Sequence, residues 1–206
     1  MMKTMTFDEI APAAPRNIHP NRETCYRILE EYGTPPHVIG HCKAVAAVAY
    51  ALGKALNERG YQMDLDLILS AGLLHDMARV EERHWDVAAD WCETHGLAPE
   101  AEIIRVHMTY DPFNDADHLN ETDLVCMADR VVLEDRYAGI DKRMEYIVQK
   151  AIRQGHEGHV PHILRKKEEA RQLIDGIEAK LGCTMDQLME GLDYEHIEKN
   201  EHRQRS

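Results

Sequence analysis

The stretch that decides the fold is "ILSAGLLHDMARV", residues 68–80, a run of apolar and small residues that ends in an imidazole and a carboxylate. A segment of this composition is predicted to be a buried helix, which we place at residues 65–79. His75 and Asp76 are expensive to bury unless they are paired or bind an ion. The stretch therefore predicts a helix whose end carries polar groups to an internal site.

Other polar residues stand in similarly apolar settings. His41 shares a helical face with Val38 and Val45, His107 follows two isoleucines, and Asp129 lies within "LVCMADRVV". A single histidine on an apolar face is more often a hydrogen-bonded core residue than a ligand. A buried aspartate, however, must be paired or bind a metal. These residues are therefore candidates for one shared metal site.

The chemistry of these residues limits the ion but does not identify it. Neighbouring helical residues point about 100° apart, so His75 and Asp76 could lie on either side of an ion held beside the helix. Imidazole and carboxylate ligands suit iron, manganese, zinc, cobalt or nickel. The five cysteines form no CxxC pair, so we expect neither a disulfide framework nor a thiolate zinc site.

The rest of the chain is predicted to be helical almost throughout, and we expect an all-α fold. The helices are expected at about residues 21–32, 35–59, 65–79, 85–95, 99–108, 121–137, 141–154, 162–181 and 185–192. We divide the chain into an extended N-terminal lead-in (1–20), a helical domain (21–160) and a C-terminal helical extension (161–206). The apolar stripe of the extension, from Ala170 to Leu181, would pack on the domain or on a partner helix, which leaves a homodimer open.

Composition excludes several classes of function. The 37 acidic against 24 basic residues give a net charge of −13, which disfavours binding to nucleic-acid polymers and to anionic membranes. No secretory signal or membrane-spanning run is apparent, so we expect a cytoplasmic protein. Only Ser70 and Ser206 could supply a serine nucleophile, and neither a Walker A motif nor GxGxxG occurs.

The order His41, "LLHDMAR" with His75 and Asp76, and "MADRVV" with Asp129 resembles the signature of the HD-domain superfamily of metal-dependent phosphohydrolases. The segments at residues 35–60, 75–91 and 103–108 are similar to HD domains fused to molybdenum-cofactor-type nucleotidyltransferases and to those of diadenosine-tetraphosphate hydrolases. The resemblance covers about residues 21–145. It implies an HD-domain helical bundle with additional C-terminal helices.

The same resemblance implies a ligand set and a reaction. His41, His75, Asp76 and Asp129 would hold a first divalent ion, and Asp76 would bridge to a second ion held by His84 and His107. A metal-activated hydroxide would hydrolyse a phosphoester or phosphoanhydride of a small phosphorylated substrate, such as a nucleotide or dinucleotide, with His75 and Asp76 as catalytic residues. A di-iron oxygenase and a non-catalytic metal-binding regulatory module remain alternatives.

Arginines near the motif are candidates for the substrate phosphate. Arg79 and Arg136 are the preferred two, ahead of Arg83 and Arg130, and surface ion pairs are the alternative for each. The histidines at 156, 159 and 162 are predicted to lie in an exposed loop, which could act as a lid. Trp85 and Trp91 could stack on a base, although core packing is the expectation.

Overall fold

The computed structural model describes residues 19–199 and confirms the all-α fold. Nine α-helices in this range are numbered here in chain order: α1 Arg22–Tyr32, α2 Pro36–Asn57, α3 Leu65–Leu74, α4 His84–Thr94, α5 Ala98–Val106, α6 Glu121–Val131, α7 Ile140–Arg153, α8 Val160–Leu181 and α9 Met185–Met189. Short 3-10 turns lie at Glu157–His159 and Ile197–Lys199. Apart from residues 19 and 20, the predicted N-terminal lead-in lies outside the described residues.

Local signals set several helix ends where the sequence predicted them. The side chain of Asn21 accepts a hydrogen bond from the backbone of Thr24, which caps α1. Gly33 ends that helix in the left-handed region at φ 85°. Asn120 and Asp123 form a reciprocal capping box at the start of α6, the helix that carries Asp129.

The third helix is shorter than predicted. It ends at Leu74 rather than at residue 79, and His75 is its C-terminal cap. The chain continues in tight turns, in which Met77 bonds back to Leu74 and Arg79 back to Asp76 over three residues. The helix end therefore falls at the polar doublet itself.

The prediction that the sixth helix runs to residue 137 is wrong. After Val131 the chain forms a small antiparallel hairpin, with strands β1 Val132–Leu133 and β2 Arg136–Tyr137. Glu134 in the turn has a φ of 56°. A left-handed residue interrupts a right-handed helix, so the chain turns back here and delivers its loop to the site described below.

Helix α2 lies at the centre of the core, and α3, α6 and α8 pack around it. A close approach between α2 and α3 depends on Gly72, because a Cβ at this position would lie 2.8 Å from the Cα of Ala46. The apolar stripe of α8 is buried in the same core, where Ile177 has no exposed surface. The stripe therefore packs on this chain.

Across residues 19–199, the structure has no helix that combines the length and apolar character needed to cross a membrane.

Candidate metal centre

Four helices bring five of the candidate ligands together, and the sixth, His84, begins α4. His41 lies on α2, His75 and Asp76 follow α3, His107 caps α5, and Asp129 lies near the end of α6. The ring centroid of His75 lies 5.4 Å from that of His41 and 5.2 Å from that of His107. Residues up to 88 positions apart in sequence thus meet in one cluster.

His75 and His107 have the same arrangement. Nδ1 of His75 donates to the carbonyl of Gly72 at 2.9 Å, and Nδ1 of His107 donates to the carbonyl of Ile104 at 2.7 Å. When the ring is neutral, Nε2 is therefore the unprotonated nitrogen. Both Nε2 atoms are buried without a hydrogen-bond partner among the described residues. Burial lowers the pKa of His75 to about 4, so its imidazole is neutral at ordinary pH.

Asp76 lies among these lone pairs. Its Oδ1 is 3.0 Å from Nε2 of His84 and 3.5 Å from Nε2 of His107, yet it has no hydrogen-bond partner in the described chain. Burial disfavours the charged form. The guanidinium of Arg79 and any imidazole of the cluster that carries a proton, that of His75 foremost, nevertheless hold the pKa of the carboxyl well below its usual range.

His84 is shared between Asp76 and an arginine. Nη1 of Arg79 donates to Nε2 of His84 at 2.8 Å, while Nε of the same guanidinium lies 3.5 Å from Oδ2 of Asp76. The nitrogen of His84 that faces Asp76 is therefore an acceptor, and two lone pairs meet at 3.0 Å. A cation between or beside them is the arrangement that relieves this repulsion.

His41 and Asp129 form the other side of the cluster. Nδ1 of His41 donates to the carbonyl of Glu134 at 2.9 Å, and its Nε2 lies 3.0 Å from Oδ1 of Asp129. Burial alone would lower the pKa of His41, but the hydrogen bond and charge of Asp129, together with the charge of Asp76 and the bond to Glu134, raise it overall. Burial likewise opposes the charge of Asp129, yet His41 holds the pKa of that carboxyl far below its ordinary value. A proton or another cation must lie between Nε2 and Oδ1.

Two groups of ligand atoms are close enough to hold an ion, and both contain His75. One group is His41, His75 and Asp129, and the other is His75, Asp76 and His107. All ligand atoms within a group lie within 4.8 Å of one another. His84 belongs to neither group, although it contacts Asp76. This division of the ligands between two ions differs from the one implied by the sequence, in which Asp76 was also a ligand of the first ion. Each ligand role stays a prediction.

A cavity of about 830 Å³ opens beside this cluster. Its lining includes His41, Asp76, His107 and Asp129. It also includes five cationic side chains: Arg79, Arg130, Arg143, Lys150 and Lys166. A cavity of this size accommodates a nucleotide-sized molecule.

The two arginines that were preferred as phosphate ligands lie in different places. Arg79 lines the cavity, whereas Arg136 does not and instead pairs with Asp135 on an exposed surface, at 3.0 Å. The geometry thus gives no support to substrate binding by Arg136. Arg83 pairs with Asp86 outside the cavity, and Arg130 lines it.

The histidine-rich segment contains more helical structure than predicted. His156 precedes a 3-10 turn that contains His159, and His162 lies in the first turns of α8. The helix begins two residues before the predicted start, because Pro161 occupies its first turn, where a missing N–H has no cost, and the three histidines are exposed as predicted. His162 lines the cavity. The rings of His156 and His159 lie 5.5 Å apart outside it.

Neither tryptophan lines the cavity. Trp91 stacks on His95 with ring centroids 3.8 Å apart, and Trp85 contacts the ring of His84 edge-on.

Three cationic residues of the cavity were not predicted as site residues from the sequence. They line the cavity from α7 and α8 and are Arg143, Lys150 and Lys166. Nη2 of Arg143 lies 3.7 Å from Oδ1 of Asp129, and its Nε is buried without a partner among the described residues. Arg143 and Lys150 are seven positions apart, so they lie on one face of α7. This spacing could have indicated a cationic face of α7, but nothing in the sequence places that face near the HD motif.

The fold and the site define an all-helical protein with a buried histidine–carboxylate centre beside a cationic cavity. The HD domain family model matches residues 38–188, and the chain belongs to this family, whose members are generally metal-dependent hydrolases. The match extends past residue 160, where sequence analysis placed the end of the HD domain. The finer resemblance to particular HD subgroups stays a prediction.

Two curated relatives match over short segments. An uncharacterized protein of Methanocaldococcus jannaschii is 44% identical over 43 residues, which are 21% of this chain and 25% of that protein. A tRNA (cytidine(56)-2'-O)-methyltransferase of Thermoplasma volcanium is 31% identical over 83 residues, 39% of this chain and 23% of the methyltransferase. The chain thus spans about a quarter of the length of either relative. No solved structure gives a significant match.

Proposed function

We propose that this protein is a metal-dependent phosphohydrolase that acts on a small phosphorylated compound. One observation carries the proposal. Nε2 of His75, Nε2 of His107 and Oδ1 of Asp76 are buried acceptors that converge with no donor among the described residues. Buried acceptors without partners are rare in native proteins and need an explanation, and a divalent ion supplies one.

The donor set fits two neighbouring ions. His41, His75 and Asp129 would hold one, and Asp76, His84 and His107 would hold the other. All ligands are imidazoles or carboxylates, which suit iron, manganese, zinc, cobalt or nickel. When bound, such ions would neutralise phosphate charge and lower the pKa of a water molecule towards neutrality.

The carbonyl contacts of the histidines would prepare the centre. The bonds from His75 to Gly72 and from His107 to Ile104 fix each ring with its Nε2 towards the cluster. Contacts of this kind orient metal-ligating histidines and favour one tautomer. The site would therefore require little rearrangement when it binds an ion.

Arg79 and Arg143 would bind the phosphate oxygens. Arg143 lies beside Asp129 and has an unpaired Nε, and Arg79 lies beside Asp76. Ligation through Nε2 of His84 would break the bond from Arg79 to that atom, which would free the guanidinium to turn towards the substrate. Guanidinium groups bind phosphate with paired hydrogen bonds.

The charge of the cavity favours hydrolysis of a phosphorylated compound over oxygenation or a purely structural metal site. Five cationic side chains line one cavity in a chain whose net charge is −13, beside four carboxylates, of which Asp76 and Asp129 would ligate the ions. A structural metal site has no need for such a cavity. A local excess of cations instead attracts an anionic substrate.

Metal content and activity together test the proposal. The protein is purified without chelators, and the metal per chain is measured by elemental mass spectrometry in wild type and in the His107→Ala, His84→Ala and His118→Ala variants. His118 is the matched control, because it pairs with Asp115 on the surface with a side chain that is 79% exposed. We expect loss of about one ion in His107→Ala and no loss in His118→Ala.

Activity is then measured on p-nitrophenyl phosphate, bis(p-nitrophenyl) phosphate and nucleotides, with and without O2. We expect phosphate release that depends on the metal and not on O2. Protein that takes up no divalent ion on reconstitution would refute the metal centre. Turnover that requires O2 and mixed-valent iron would instead establish the oxygenase, and metal binding without any turnover would favour a regulatory module.

A further inference from the structure

Arg130 and Lys166 are two cations that lie beside His107 without a carboxylate partner. Nη2 of Arg130 donates to the carbonyl of Tyr110, and Nζ of Lys166 donates to the carbonyl of Met108 at 3.0 Å. The two carbonyls belong to residues one and three positions after His107 in the chain. Both cations therefore lie at the same end of the cavity.

Arg130 has an unused donor. The residue is 7% exposed, and its Nη1 is buried with no partner among residues 19–199. The guanidinium also lies 4.4 Å from the ring centroid of Phe113, which fixes its plane. A buried guanidinium with one nitrogen free is positioned to bind an acceptor.

The acids closest to this pair already have a partner. Asp111 and Glu169 each form an ion pair with Nη1 of Arg165, at 2.8 Å and 2.7 Å. Within the described chain no carboxylate lies within ion-pair distance of Arg130 or Lys166. Burial lowers the pKa of Lys166, and repulsion from Arg130 lowers it further. Arg165, Arg130 and Lys166 together face these two carboxylates, so one positive charge remains that an anion would neutralise.

We propose that Arg130 and Lys166 form a subsite for a second anionic group of the substrate, beside the group that is hydrolysed at the metal centre. The inference rests on the proposed function and extends it to a substrate class. Both side chains line the same cavity as the candidate metal ligands. The substrate is then a phosphoanhydride, or a phosphoester with a further phosphate or carboxylate, rather than a monophosphate of a neutral compound.

Binding of three small probes tests the subsite without any requirement for turnover. Isothermal titration calorimetry on metal-loaded protein compares methylphosphonate, which has one anionic group, with phosphonoacetate and methylenebisphosphonate. These add a carboxylate and a second phosphonate, respectively. The measured quantity is the ratio of each affinity to that of methylphosphonate, in wild type and in the Lys166→Met, Lys166→Arg and Lys167→Met variants.

Lys167 is the matched control, because it neighbours Lys166 but pairs with Asp141 at 2.7 Å. Chelation of the ions by a second anionic group would be common to all variants, so only a change in the ratio reports the subsite. We expect Lys166→Met to reduce the ratio about tenfold, as for one lost charge-assisted contact, while Lys166→Arg and Lys167→Met retain it.

A reduced ratio for methylenebisphosphonate would assign the subsite to phosphate, and one for phosphonoacetate would assign it to carboxylate. The subsite is refuted if Lys166→Met leaves both ratios unchanged, or if it weakens all three probes equally. The proposed function fails separately, through a lack of bound metal or of metal-dependent phosphate release. Circular dichroism of each variant verifies that it is folded.

Discussion

Nδ1 of His75 donates to the carbonyl oxygen of Gly72 across 2.9 Å, and the two residues lie one helical turn apart at the end of α3. The hydrogen bond uses the proton of the imidazole and leaves the lone pair of Nε2 towards the cluster. Gly72 also sets how closely α3 approaches α2, since it faces Ala46 with no side chain between them. One short segment thus determines both helix packing and the tautomer of a candidate ligand.

Replacement of Gly72 by alanine is expected to destabilise the protein, although alanine is the better helix former. The new Cβ would lie 2.8 Å from the Cα of Ala46. This atom belongs to the backbone and cannot move aside as the end of a flexible side chain could. Overpacking of this kind costs about 1–3 kcal/mol, more than the helix propensity returns. Urea denaturation of Gly72→Ala and wild type measures the difference in the free energy of unfolding.

Gly158→Ala is the matched control, because an added Cβ at that position meets no atom within 4 Å. We expect its free energy of unfolding to change by no more than about 0.5 kcal/mol. Equal stability of Gly72→Ala and wild type would show that α2 and α3 do not approach as closely as described.

His75 should make the stability of chelator-treated protein depend on pH between about 4 and 6.5. Burial lowers the pKa of His75 from 6.5 to about 4. Across this window the unfolded chain binds a proton at His75 and the folded chain does not, so stability rises with pH and falls as pH decreases. The full effect of such a shift is about 3 kcal/mol.

The measurement is the free energy of unfolding by urea at several pH values, in wild type and in His75→Gln. The glutamine variant has no titrating group at this position, so its stability should vary less across the window. His41, whose pKa is raised, contributes in the opposite sense and only above about pH 6.5. Identical pH profiles for the two proteins would contradict a neutral, buried His75.

The sequence predicted more of the fold than of the cavity. Helix α1 could be recognised locally, because Asn21 and Gly33 mark its ends. The small hairpin was missed, because strands of two residues each are determined by tertiary contacts and carry no period-two pattern.

Five of the candidate ligands could be identified because each is a polar residue in an apolar segment, whereas His84, in "RHWDVAA", was predicted only from the family resemblance. His41 and Asp129 meet in the structure at 3.0 Å across 88 residues of chain. Arg143 and Lys166 carry no such signal, since a basic residue on a helix of mixed charge is usually solvated. Arg136 was preferred for its proximity to Asp129 in sequence, yet the hairpin directs it to Asp135 on the surface.

Arg143→Met is expected to reduce phosphate hydrolysis without loss of metal. Its guanidinium lies 3.7 Å from Oδ1 of Asp129, its Nε has no partner among the described residues, and the residue lines the cavity, so it would contact the substrate rather than ligate an ion. Loss of a hydrogen-bonded charge is expected to lower kcat/KM about tenfold to a hundredfold, mainly through KM if the contact forms in the bound substrate.

Steady-state kinetics and elemental mass spectrometry on the same preparation measure both quantities. Arg153→Met is the control, since Arg153 lies exposed at the end of the same helix and outside the cavity. Unchanged kinetics in Arg143→Met would remove this residue from substrate binding, and loss of metal would show that it supports the centre instead.

Helix α8 should be required for the stability of the whole protein rather than act as a detachable extension. Ile177 has no exposed surface and lies in the same core cluster as Val48 and Leu52 of α2. Ile177→Ala is therefore expected to lower the free energy of unfolding by about 2–5 kcal/mol.

Leu164→Ala on the same helix is the control, because Leu164 is 51% exposed and should change stability by no more than about 0.5 kcal/mol. Urea denaturation followed by circular dichroism gives both values. A second, independent unfolding transition that only Ile177→Ala shifts would instead show that residues 161–206 fold apart from the domain.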